Sequence, residues 1–261
     1  MSFDSERLIV GHRGAAGLAP ENTLAGFSLA AALGVHAVEL DVHRVLGRLL
    51  VIHDDRLERT TSGRGGLASL DIAGLRALDA GGGQPIPFLE EVFDALPSEV
   101  GINVELKGPH TAETVFSLLT RIRRQCPAED ADVLPTPVGD GREPRHRDRV
   151  QRDVLVSSFD LVELRRFAEL GAGGFKVAPL FEHWSDDICD LAAELSAWSV
   201  NLCARAATRR RIQQALSRGF RVLVFTVNDP ALAESLFSWG ATGIFTDFPD
   251  RMIGRVAPAR Q

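Results

Sequence analysis

The stretch VGHRGAAGLAPENTLAGFSLAAALGVHAVELDVHRVLGRLLVIHD, residues 10–54, decides the fold. It holds three short apolar runs, and each ends in, or carries, residues suited to chemistry rather than packing. His12 and Arg13 follow the first run. Glu39 and Asp41 sit two apart on the second, so on a strand their side chains share one face. His53 and Asp54 close the third. Between the first two runs, Pro20 precedes a helical pattern, with Leu24, Phe27 and Ala31 on one face and Gly34 as a stop. Between the second and third, residues 43–48 are too few for a helix, so the chain turns back around Leu46 and Gly47 as an antiparallel hairpin. That hairpin is expected to set Asp41 almost opposite His53. Two imidazoles, two carboxylates and a guanidinium brought together suggest a hydrolytic site for a phosphate-bearing substrate.

Working outward, residues 56–87 carry clustered glycines around a weak helix near 71–78 and read as a small excursion from the main body. Pro87 opens a helix with Leu89, Val92, Phe93 and Leu96 on one face. Strand patterns then recur at 101–106, 154–159, 174–178, 199–203, 221–227 and 243–246, separated by amphipathic helical patterns. Residues 126–153 are polar, rich in Pro and Arg, and aperiodic; they read as an exposed, mobile loop. With the hairpin's return strand set aside, eight parallel strands remain, which is the count for a closed TIM (β/α)8 barrel. The runner-up is an open doubly wound sheet. The chain of 261 residues suits a single barrel domain spanning 1–261. The chemical residues lie at strand C-terminal ends, where barrel active sites form.

The apolar content of 45% supports a sizeable core, and a net charge of −6 without a long basic run argues against nucleic acid as a partner. No run approaches the ~18 apolar residues of a membrane span, so no stable membrane insertion is expected. The first ten residues lack the apolar stretch of a signal peptide, and Cys126, Cys189 and Cys203 are odd in number and widely spaced. Reduced thiols and a cytoplasmic enzyme are the expectation. The oligomeric state is left open.

Glu39, Asp41 and, from the next parallel strand, Glu105 would repel one another in a partly buried mouth. One divalent cation is the natural compensation, and oxygen-only ligands favour Mg²⁺ or Ca²⁺ over zinc. The competing reading makes them rim charges or structural ion pairs. His12 and His53 are the acid and base candidates, because imidazole titrates near neutrality. Arg13 and Lys107 are the phosphate candidates; Lys107 shares a strand face with Glu105 and is one of only two lysines. A simple Lys107–Glu105 pair is the alternative. The remaining histidines, and Ser157 and Ser158, are read as structural.

These residues closely resemble the glycerophosphodiester phosphodiesterase family. HRG at 12–14, PENT at 20–23, ELDV at 39–42, HD at 53–54, PFLEEV at 87–92, NVELK at 103–107, SSF at 157–159, FTVN at 225–228 and TDFP at 246–249 match its motifs in order. The resemblance implies a TIM barrel with a small insertion after HD, which coincides with the excursion at 56–87. It implies His12 and His53 as general acid and base, Glu39, Asp41 and Glu105 as metal ligands, and Arg13 and Lys107 as phosphate contacts. The implied reaction is hydrolysis of a small-molecule glycerophosphodiester to glycerol 3-phosphate and an alcohol, with the substrate's own 2-hydroxyl as the first nucleophile. The chain departs from the pattern at Phe88, where the family has Thr, and at Phe225, where it has Trp in the aromatic wall beside the glycerol. Its hairpin, Val45-Leu46-Gly47, is shorter than the family's and lacks its polar groups. These departures bear on substrate preference. The rival expectations are a phospholipase D-type action on lysophospholipid or sphingomyelin, and a silent barrel that only binds glycerophosphodiesters.

Overall fold

The computed structural model describes residues 2–124, 152–171 and 174–257. β1 (Leu8–Gly11) leads through α1 (Leu24–Ala32) to β2 (Ala37–Val45), which turns directly into β3 (Arg48–Val51). Then come α2 (Ile72–Arg76), α3 (Leu89–Ala95), β4 (Gly101–Lys107) and α4 (Thr111–Arg124). The second half alternates regularly: β5 (Val154–Ser158), α5 (Leu161–Leu170), β6 (Lys176–Phe181), α6 (Ile188–Glu194), β7 (Ser199–Cys203) and α7 (Arg209–Ser217). It finishes with β8 (Arg221–Phe225), α8 (Pro230–Ser238), β9 (Gly243–Thr246) and α9 (Pro249–Met252). The parallel strands run β1-β9-β8-β7-β6-β5-β4-β2, and β2 pairs back onto β1. The ring is therefore the closed TIM barrel, not the open sheet, and β3 lies antiparallel on β2 outside it.

Strand alternation sorts the side chains. Val38, Leu40 and Val42 of β2 are fully buried in the layer between strands and helices, in one cluster with Phe27, Val92 and Val115. The alternate residues, Ala37, Glu39 and Asp41, take the barrel axis. At the N-terminal end the axis is apolar: Leu8, Val10, Ala37, Leu155, Leu223 and Phe245 pack with Phe3, which the Ser2–Asp4 turn delivers. Burying a large apolar side chain contributes roughly 1.5–3 kcal/mol. The floor is thus well sealed, and the polar axis residues gather at the C-terminal mouth.

The helices start where side-chain caps allow. Thr23 accepts from Gly26 N at 3.1 Å to open α1, and Asp160 accepts from Val162 N at 2.9 Å to open α5. Glu163 on α5 is buried and caps a neighbour instead, accepting from the backbone N–H of His110, Thr111 and Ala112 at the start of α4. The same turn holds Lys107, whose carbonyl accepts from Thr111 Oγ1 at 2.7 Å.

The hairpin differs from expectation by one residue. Val45 pairs with Arg48 and Val42 with Val51 across a two-residue turn. Leu46 (φ 48°) and Gly47 (φ 80°) both adopt positive φ, the requirement of the tightest hairpin turn. Asp41 therefore faces Ile52, whose N–H donates to the Asp41 carbonyl at 3.0 Å, and His53 lies one residue beyond the ladder. β6 also begins two residues later than the pattern predicts and continues through Pro179 to Phe181, because pairing to β5 and β7 overrides local sequence there. The excursion after β3 has its own small core of Leu57, Leu67, Leu75 and Ile86, packed on Leu50 and Ile52. The expected loop at 126–153 lies outside the described residues except for Arg152 and Asp153. Among the described residues, no helix is long and apolar enough to cross a membrane.

Candidate active site

Asp41 and Glu105 are register partners on β2 and β4, and Glu39 lies two residues before Asp41 on the same face. One oxygen from each of the three falls within 4.8 Å of the others, and all three side chains are buried. The half-turn after β1 completes the group. Arg13 (φ 50°) and Gly14 (φ 87°) fold the chain back so that Arg13 N donates to Glu39 Oε2 at 2.9 Å. A Cβ on Gly14 would sit 2.7 Å from the backbone carbon of Gly26, so the position admits only glycine. Asn22 Nδ2 donates to Asp41 Oδ2 at 2.9 Å.

The remaining oxygens are under-satisfied. Glu39 Oε1 has no hydrogen-bond donor among the described residues. Among the described residues, Asp41 Oδ1 and Glu105 Oε1 are met only by the Lys107 ammonium, at 3.4 and 2.6 Å. Burial first, then Asp41 and Glu105, push the Glu39 carboxyl well above its ordinary value. Burial and Asp41 push Glu105 up to about 7, against the pull of Lys107. Burial also raises Asp41, but Lys107, Arg13 and His53 outweigh it and leave Asp41 below its ordinary value. Two arms of cation are too little charge for three carboxylates. An orphaned oxygen in a dry carboxylate cluster fits a hard divalent ion, whose ligands are oxygens.

Both predicted histidines border this cluster. His12 Nε2 is 4.0 Å from Glu39 Oε2, and its Nδ1 is 2.7 Å from Asp247 Oδ1. His53 Nδ1 is 2.5 Å from Asp54 Oδ1. Burial lowers the His53 pKa, despite the opposing pull of Asp41 and Asp54. Each ring thus has one nitrogen tied to a carboxylate, which leaves Nε2 for chemistry. His43 is read from the sequence as structural, and it holds the His53 carbonyl through Nε2 at 3.0 Å.

Arg13 and Lys107 sit over the same carboxylates. Arg13 Nη1 is 2.9 Å from Glu21 Oε1 and Nε is 3.3 Å from Asp41 Oδ2. Lys107 Nζ also lies 5.7 Å from the Phe159 ring centroid. Phe159 meets Phe225, at the end of β8, edge-on at 5.6 Å.

Sequence reading missed the partners. Asp247 accepts from Asn228 Nδ2 at 2.7 Å as well as facing His12, and its carboxyl, raised by burial, is pulled below the ordinary range by His12. Glu21, Asn22, Asn228 and Asp247 all lie inside matched motifs, PENT, FTVN and TDFP, so a signal existed. Arg59 lies in the excursion, outside every motif, yet reaches both Glu21 and Asp54.

Comparison with known proteins places the chain in one family. Residues 12–251 match the Glycerophosphoryl diester phosphodiesterase family. The glycerophosphodiester phosphodiesterase of Bacillus subtilis (strain 168) is 27% identical over 262 residues, covering 93% of this chain and 84% of its own. The human lysophospholipase D GDPD1 is 24% identical over 276 residues, covering 93% and 84%. Among solved structures, a phosphodiesterase from Oleispira antarctica, in complex with the product sn-glycerol-3-phosphate, superposes with a TM-score of 0.79. It is 26% identical and covers 95% of this chain and 96% of its own.

Proposed function

The chain belongs to the glycerophosphoryl diester phosphodiesterase family and is a phosphoric diester hydrolase; we propose that as a single barrel domain it splits glycerophosphodiesters into glycerol 3-phosphate and an alcohol, using one divalent cation and two histidines. The observation that carries this reading is the meeting of three under-satisfied carboxylates with two imidazoles, each imidazole oriented by its own aspartate.

Glu39, Asp41 and Glu105 would hold the ion, Mg²⁺ or Ca²⁺, which when bound polarises the phosphoryl group and makes the attacking hydroxyl more acidic. His53 donates its Nδ1–H to Asp54, and burial keeps it neutral, so its Nε2 lone pair accepts the proton of the attacking hydroxyl. The new O–P bond forms as the P–O bond to the alcohol breaks. His12, held by Asp247, delivers a proton from Nε2 to the leaving alkoxide. Where the substrate's 2-hydroxyl attacks first, water then opens the cyclic phosphate with the two histidines exchanging roles. Arg13 and Lys107 stabilise the charge that develops on the non-bridging oxygens. Phe225 and Phe159 form the wall beside the glycerol. The two described cysteines, Cys189 and Cys203, are buried free thiols, which fits a cytoplasmic enzyme.

The test is release of glycerol 3-phosphate from glycerophosphocholine, with EDTA and then with Mg²⁺, Ca²⁺ or Mn²⁺ restored. Activity should vanish with chelator and return with metal. His12→Ala and His53→Ala should each lower kcat about 10²–10⁴-fold with the fold intact. Activity indifferent to EDTA overturns the metal assignment; near-native rates in both variants overturn the acid–base assignment.

A second reading rests on the exposed apolar side chains that follow β1 and β5: Leu18 and Phe159 in mouth-face loops and Val162 in the first turn of α5. They would suit an acyl chain, and the human relative carries the name lysophospholipase D. A higher kcat/KM on lysophosphatidylcholine than on glycerophosphocholine favours this reading; the reverse rules it out.

A further inference from the structure

The excursion after β3 brings one side chain back to the rim of the site. Arg59 Nε is 2.6 Å from Asp54 Oδ2 and its Nη2 is 3.0 Å from Asp54 Oδ1. Its Nη1 is 2.7 Å from Glu21 Oε2 and its Nη2 is 2.8 Å from Glu21 Oε1. One guanidinium therefore engages two carboxylates, both in two-pronged fashion, the geometry in which Arg–carboxylate pairs are strongest and most directional. Isolated ion pairs at a surface contribute little. This one differs because neither carboxylate ends with Arg59. Asp54 Oδ1 faces His53 Nδ1 at 2.5 Å, and Glu21 Oε1 accepts from Arg13 Nη1 at 2.9 Å. The chain of contacts runs from His53 through Asp54, Arg59 and Glu21 to Arg13, and so joins the loop after β1 to the loop after β3.

Without the guanidinium, two carboxylates on facing loops would repel, and each could rotate away from the side chain it holds. Asp54 would lose the contact that pins both of its oxygens. Among the described residues, Glu21 would be left with Arg13 alone. The other half of the site has an equivalent device inside the barrel, where Asn228 holds Asp247, which faces His12. Neutral Asn228 suits a single carboxylate; a cation with a fork suits two.

We infer that Arg59 is a positioning residue for the reaction: it clamps Asp54 and Glu21 together so that the His53 imidazole and the Arg13 guanidinium are both fixed against the substrate. The inference rests on the proposed role of His53. It also gives the excursion a purpose, since its small core holds the backbone around Arg59 in place.

The experiment compares Arg59→Ala and Arg59→Lys with the wild-type protein, with Arg56→Ala as a control in the same segment. Arg56 pairs only with exposed Glu58 among the described contacts, at 2.7 Å. Two readouts are taken: steady-state kinetics on glycerophosphocholine, and the protonation pattern of the His53 ring nitrogens by long-range 1H–15N NMR, assigned with His53→Ala. Arg59→Ala should lower kcat about 10–100-fold while KM changes less than about threefold. Added guanidinium at tens of millimolar should restore part of the loss. Arg59→Lys, a point charge that cannot grip both carboxylates, should fall between Ala and wild type. The His53 ring should pass from one dominant Nδ1–H form to a mixture of the two neutral forms. Arg56→Ala should stay within about twofold of wild type. A folded Arg59→Ala or Arg59→Lys protein with unchanged kcat and an unchanged His53 ring pattern overturns the inference. If the wild-type protein does not turn over the substrate, the proposed function fails, and the ring pattern alone decides the role of Arg59.

Discussion

An aspartate that orients an imidazole does so with one particular oxygen, and both aspartates of this site have their second oxygen engaged. Asp247 Oδ1 faces His12 Nδ1, and Oδ2 accepts from Asn228 Nδ2. Asn in place of Asp247 keeps the shape but offers one acceptor and one donor. Either Asn228 or His12 then meets an N–H, and an N–H opposite Nδ1 keeps the His12 ring from carrying protons on both nitrogens, as the proposed delivery from Nε2 requires. Asp54→Asn meets the same conflict more severely, because Arg59 has no acceptor to offer. Each substitution should cut kcat on glycerophosphocholine about 10²-fold or more, with little change in melting temperature, as kinetics and thermal melts would register. A loss under threefold in both would mean that the rings are held by something else. These partners explain why the site was only partly legible. Glu39, Asp41 and Glu105 stand out because charged groups on apolar strands are costly unless they are compensated, and His12 and His53 because they closely follow such strands. Asp247 lies 235 residues from His12 along the chain, so no local pattern could pair them.

Elements were easier to find than their registers. The Leu24, Phe27 and Ala31 spacing, Pro87 ahead of α3 and the apolar run of β2 are local signals, and the helices and strands form where those signals stand. The hairpin register depends on the turn, and here the turn is unfavourable by composition. Leu46 occupies the left-handed region at φ 48° and is largely exposed. A branched side chain in that region costs roughly 1–2 kcal/mol, which the β2–β3 ladder and the packing of Leu49 and Leu50 must offset. Asn-Gly is the favoured pair for such a turn. Leu46→Asn should therefore stabilise the protein by about 1 kcal/mol, seen as a melting temperature roughly 2–4 °C higher, without changing kcat. A lower melting temperature would mean that the Leu46 side chain makes a contact worth more than the strain. A tight turn also has a consequence for the site: Asp41 pairs with Ile52, so the ladder ends before His53 and leaves it to be held by Asp54 and His43.

At the scale of the whole molecule, the count of eight strands alternating with helices favoured the barrel and left the open doubly wound sheet as runner-up; the pairing of β1 with β2 decides between them. The count could not reveal which strand-end residues converge, since that depends on the stagger of β2 against β4 and on loops that fold back over the mouth. The same convergence sets a tension between function and stability. In the metal-free protein, Glu105 is raised from 4.5 to about 7, chiefly by burial and then by Asp41. A carboxyl whose folded value is raised stabilises the fold fully below pH 4.5 and loses that contribution as pH climbs through about 7. His43 and His53 work in the opposite sense, because burial lowers both, and their contributions are present above pH 6.5 and lost as pH falls. The Glu105 contribution is isolated by comparison with Glu105→Gln, which cannot ionise. Between pH 4.5 and 7.5, metal-free wild type should lose melting temperature relative to that variant. A divalent cation at about a hundred times its dissociation constant should return about 2.7 kcal/mol to the wild type at pH 7.5, less at pH 5 where protons compete, and little to Glu105→Gln. Parallel pH profiles for the two metal-free proteins would show that Glu105 keeps its charge without a cation, and the carboxylate cluster would then be an ion-paired network rather than a site waiting for metal.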